Sequence, residues 1–145
     1  MITRSQYLYF LSLALEGMAE IVGELGDDLA NRKLPMPGSN SPYAVLNHCL
    51  GAVRYWAGEV VGGRPAHRDR DAEFTASGPV GPLLDRVRET IGSLQQDLDG
   101  LEPRAPVSGA RPGITDQGSA LLHLYTDLVQ HRGQLEITRD VLVAG

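Results

Sequence analysis

Cysteine is almost absent from this chain of 145 residues: Cys49 stands alone, so no internal disulfide can form and a reducing, cytoplasmic setting is expected. Lysine is as scarce. Lys33 is the single lysine among 13 basic residues, and 18 acidic residues outnumber them. The resulting net charge of −5 lacks the basic balance that nucleic acid demands of a partner, and none is expected. No apolar run nears the roughly 20 residues needed to cross a bilayer, so no membrane role is expected either. The apolar N-terminal stretch is broken by Ser12, followed by Glu16 and Glu20, and has no convincing small-residue cleavage pattern. It reads as helix, not as a signal peptide. Alternation of β type, internal repeats and low-complexity tracts are also missing. What is present, 42% hydrophobic and 21% charged residues, suits one soluble globular domain over residues 1–145.

Four amphipathic segments separated by Pro- and Gly-rich loops predict an all-α fold. The first helix is expected from about Ser5 to Leu29, with Tyr7, Phe10, Leu11, Ala14, Leu15, Met18, Ile21, Val22 and Leu25 at helical spacing. Pro35, Pro37 and Gly38 interrupt regular structure. Ser41-Pro42 then supplies an N-cap and a first-turn proline for a second helix running to about Val61, ahead of Gly62-Gly63. Residues 64–78 form a charged loop. A third helix starts near Pro79 or Pro82 and ends at Gly100, and after a loop over residues 101–113 the last runs from a Thr115 cap to about Leu142. Four helices of this length make a four-helix bundle, and the long loops permit crossover topology.

The last helix carries the chemistry. His123, Asp127 and His131 recur at i, i+4 spacing beside the stripe Leu124, Leu128, Leu135 and Leu142. A charged or imidazole group on a burying face must be paired, hydrogen-bonded or bound to a metal. Side chains four apart lie about 5–6 Å from each other at Cβ, so Asp127 and His131 can clip one ion. His48 on the second helix would complete a His/His/carboxylate set with an open fourth position, the pattern of a catalytic site. That donor set suits zinc best and admits nickel. The same residues are also compatible with satisfied polar groups in a helical core. His123 stands as a replacement ligand for Asp127 or His48, or as a rim proton shuttle. Cys49, about 100° around the helix from His48, reads as an inert buried thiol.

Several neighbours carry two readings. Tyr55 lines the pocket or belongs to the core with Trp56. Arg64, Arg68 and Arg70 greet an acidic cofactor or substrate, or else neutralise Asp69, Asp71 and Glu73 in a solvated loop. Gln134 supports His131 or bridges helices, and Gly133 suggests a close helix approach.

The order of Asn40-Ser41-Pro42, His48, Tyr55-Trp56 and Asp127-x-x-x-His131-Arg-Gly-Gln134 resembles the DinB/YfiT-like metalloenzyme superfamily, especially the branch related to mycothiol-dependent maleylpyruvate isomerase. The likeness spans nearly the whole chain. It implies a four-helix bundle that dimerises with its own kind, with His48, Asp127 and His131 as ligands of a divalent metal. It departs from the pattern at Asp127, where Glu or His is usual and the side chain is longer by at least one methylene.

The resemblance further implies a transferase or isomerase that activates a low-molecular-weight thiol for attack on a small electrophile. Arginine in place of lysine, with abundant Gly, Ala and Val, fits a high-G+C genome and points to mycothiol as that thiol. Tyr55, Arg68 and Arg70 are then the residues expected to meet it. A non-catalytic metal- or ligand-binding dimer and a hydrolase using metal-bound water stand as alternatives.

Overall fold

In the computed structural model, which describes residues 1–108 and 111–145, four long helices and one short helix build the domain. Residues 109–110 of the expected 101–113 loop lie outside the described residues. Helix α1 (Arg4–Ala30) starts at a capping box in which Thr3 and Gln6 satisfy each other's backbone N–H groups. Its buried stripe runs from Tyr7 to Leu25 as predicted, except at Phe10, which faces outward and is exposed. The expected uninterrupted helix to Leu29 is not found, because Gly26 adopts φ 74° and ψ 179° and breaks the run. Only glycine takes that conformation without a Cβ clash.

Helix α2 (Pro42–Val53) is capped by Ser41 as expected and continues as a π-helical segment, Arg54–Val61. A bond from Gly62 N–H to the Ala57 carbonyl, 2.9 Å, shows the wider i→i+5 winding. Helix α3 (Arg70–Glu73) is a single turn inside the segment expected to be loop. Helices α4 (Val80–Asp97) and α5 (Gln117–Ala144) follow, the latter capped by Asp116 instead of the expected Thr115. Asp116 and Ser119 close a capping box there.

Going around the bundle, the order is α1, α4, α2, α5, with α1 also touching α2 across the diagonal. The starts of α1 and α5 meet where the Tyr7 hydroxyl donates to the Gly118 carbonyl at 3.4 Å, so these two run parallel. Helix α4 runs the other way, since Arg4 binds the carbonyls of Gln95 and Leu98 while Asp27 binds the Val80 N–H. Helix α2 opposes α5, with His48 beside Asp127 and Trp56 beside His123. Helices α2 and α4 are therefore parallel neighbours, and residues 62–79 must travel back along the bundle to join them. That return path carries α3 over His48.

Candidate metal centre

His48 is almost completely buried, 1% exposed, because it sits on the inner face of α2 among Leu46, Cys49 and Leu50. Its Nε2 lies 3.6 Å from Oδ2 of Asp127, while Nε2 of His131 lies 3.4 Å from Oδ1 of the same carboxylate. The donor atoms of these three residues fall within 4.8 Å of one another, so the structure brings the three expected side chains together. The two separations run to different oxygens of the carboxylate, Oδ2 for His48 and Oδ1 for His131. The short Asp127 side chain thus reaches both imidazoles.

Both rings are held by their other nitrogen. Nδ1 of His48 is 3.0 Å from Oε1 of Glu73, and Nδ1 of His131 is 2.9 Å from Oε1 of Gln134. An oxygen acceptor at Nδ1 places the proton there and leaves the Nε2 lone pair free for a cation. Nε2 of His48 is the only buried side-chain polar atom with no hydrogen bond among the described residues. Unsatisfied buried polar atoms are rare, and one aimed at a carboxylate and a second lone pair fits a divalent ion. The donors present fit such a group.

Charge follows the same geometry. Contact with His131, then with His48, holds the Asp127 carboxyl well below the usual carboxylate range, and its own burial opposes this only in part. The Asp127 carboxylate in turn raises the His131 imidazole above its ordinary value, while burial pulls it down. His123, a turn earlier on α5, is lowered mainly by burial and packs edge-on against Trp56 with ring centroids 4.7 Å apart. Trp56 is a buried anchor, as expected. Cys49 is fully buried and its thiol is pushed well up, first by desolvation and then by Asp127 and Glu73, so it is inert as expected.

The charged loop is exposed over most of its length and pairs Arg68 with Glu73, so its self-neutralised reading holds, but that pair turns inward instead of facing solvent. Asp69 caps α3, and Glu73 at the end of that turn points inward with its side chain only 11% exposed. Arg68 grips it with a fork, Nε to Oε2 at 3.1 Å and Nη2 to Oε1 at 3.0 Å. Phe74 stacks on the His48 ring at 4.3 Å and 22°. The Arg68 guanidinium also lies 5.6 Å from the Tyr55 ring centre, and that of Arg70 lies 5.6 Å from Phe74. Arg64 is drawn away to Asp97, two bonds of 2.7 Å each. Gly133 has open space where a Cβ would be, so close helix approach does not explain it.

Glu73 and Phe74 were missed as site residues. The signal that could have found them is Asp69 as a helix cap with the acidic Glu73 four positions on, in a loop obliged to recross the bundle.

Two opposed helices present His/carboxylate/His donors inward, as the DinB-like resemblance implied, and the family match below supports that class. More narrowly, the chain belongs to the mycothiol-S-transferase family, which it matches over residues 7–144. Comparison with curated proteins finds no match. The family relates the chain to a thiol as small-molecule substrate, and no described helix is long and apolar enough to cross a membrane.

Proposed function

We propose that this chain is a metal-dependent mycothiol S-transferase acting in the cytoplasm on a small electrophile. The observation that carries the reading is the orphaned Nε2 of buried His48, facing the Asp127 carboxylate beside a second imidazole. His48, Asp127 and His131 would hold the ion, with zinc the best match to two imidazoles and a carboxylate and nickel the next. A divalent ion there supplies Lewis acidity that lets a thiol ionise near neutral pH.

The protein's own groups do the rest. Glu73 and Gln134 fix the ring orientations, and Phe74 shields one face of His48. His123 stays neutral in its partly buried position, so its imidazole can accept the proton that leaves the thiol. Tyr55 and Arg70 are assigned to the polar body of the thiol cofactor, whereas Arg68, also expected there, is taken up by Glu73. Arg70 is close enough to His131 to lower its proton affinity slightly, which supports its assignment.

The test has two parts. Protein purified without added metal should contain one zinc or nickel per chain, and should couple mycothiol to a generic electrophile such as a haloaromatic. Turnover that proceeds equally without thiol would replace this reading with hydrolysis by metal-bound water. Absence of bound metal after zinc loading would remove both.

A further inference from the structure

We propose that Glu73 is a positioning residue of the metal centre, inserted through a gap that exists only because residue 51 is glycine, and that Arg68 clamps it in place. The inference rests on His48 being a ligand, as read above. Gly51 lies three residues after His48, on the same side of α2. A Cβ built on Gly51 would collide with the Glu73 carboxylate, a clash with the very group that bonds His48. Gly51 is helical with no positive φ, so its backbone conformation gives no reason for glycine. Passage of the carboxylate does.

The hold on Glu73 comes from several directions. Arg68 forks onto both oxygens, and the Asn47 side-chain amide donates to the Glu73 backbone carbonyl at 2.9 Å. Arg68 and Glu73 side chains are 13% and 11% exposed, so this pairing is largely removed from solvent. A fork with both oxygens engaged leaves Glu73 as a fixed anion facing the Nδ1 proton of His48. An anion there raises the basicity of Nε2 and prevents the ring from turning its N–H toward the metal position. Segment 66–74, strung along the bundle by the parallel arrangement of α2 and α4, is thereby part of the centre.

The test uses the full chain and two readouts, neither of them turnover. In metal-free protein at a pH where the ring is neutral, nitrogen-15 NMR should find the His48 proton on Nδ1. Glu73→Gln should retain that tautomer, since its amide oxygen still accepts, while Glu73→Ala should yield a mixture. Zinc affinity, measured against a competing chelator, should fall about 10–100-fold in Glu73→Ala and less in Glu73→Gln. Gly51→Ala should lose as much as Glu73→Ala, and the double variant should match the single one within about twofold. A wild-type proton on Nε2, or unchanged zinc affinity in Glu73→Ala, overturns the assignment. If the wild type takes up no zinc, the functional reading fails, whereas the tautomer still decides what Glu73 does.

Discussion

Asp127 sits between two imidazoles and binds neither by a short hydrogen bond, with separations of 3.4 and 3.6 Å that suit a cation in the middle. Its ionised form is favoured in the folded protein, so it contributes stability above about pH 4 that is lost as the pH falls below this. His131 has the opposite sign. Its raised pKa stabilises the metal-free fold below about pH 6.5, and that contribution disappears as the pH rises through the folded value. Zinc must displace the same proton. The zinc-induced rise in Tm should therefore grow with pH across this window, with affinity strengthening by about tenfold per unit below the His131 pKa. Calorimetric melts with and without zinc from pH 5.5 to 8 check it; a shift that shrinks as the pH rises would contradict it. Asp127→Asn should weaken zinc by about 100-fold or more while leaving the fold intact, measured by chelator competition and circular dichroism. Asp127 and His131 were legible from sequence because one helix spaces them. Glu73 was not, since its bond to His48 spans 25 positions and depends on a chain crossing.

At the level of elements, caps and breaks explain most departures from the predicted boundaries. Helix α4 begins at Pro79, whose side chain cannot cap, and its first N–H is met by Asp27 from the far side of the Gly26 break. Asn31, just past α1, pairs with both the N–H and the carbonyl of Gly78. Asp27→Ala should destabilise the protein by about 1 kcal/mol, within the range for losing an N-cap, and urea unfolding would detect it. An unchanged midpoint would show that water replaces the carboxylate. Such long-range caps are invisible to local pattern, which sees only that Gly and Pro end one helix and start another. The π winding after Arg54 was equally hidden, because Tyr55, Trp56 and Val60 fit an α-helical stripe as well as a wider one. Ser41-Pro42 was legible because cap and first turn are adjacent in sequence.

For the molecule as a whole, hydrophobic spacing was enough to identify four long helices, since each stripe belongs to one helix. Their order and direction depend on contacts between segments and could not be read from any one of them. The parallel pairs put an outward apolar stripe on α1 and α5, where Tyr9, Phe10, Leu13, Leu122 and Val129 are all exposed. A second copy of the chain offers a matching stripe about a two-fold axis, so we predict a homodimer through this face. Light scattering should give twice the chain mass, and Phe10→Glu with Leu122→Glu should give a monomer. Monomeric wild-type protein at tens of micromolar would count against it.

The proposed chemistry rests on one cation shared between α2 and α5. Crystals of zinc-loaded protein, measured on either side of the zinc absorption edge, should show a single anomalous peak per chain, bonded to Nε2 of His48, Nε2 of His131 and the Asp127 carboxylate. A map with no peak among those atoms, or with the ion bound elsewhere while His48 keeps its bare nitrogen, would contradict it.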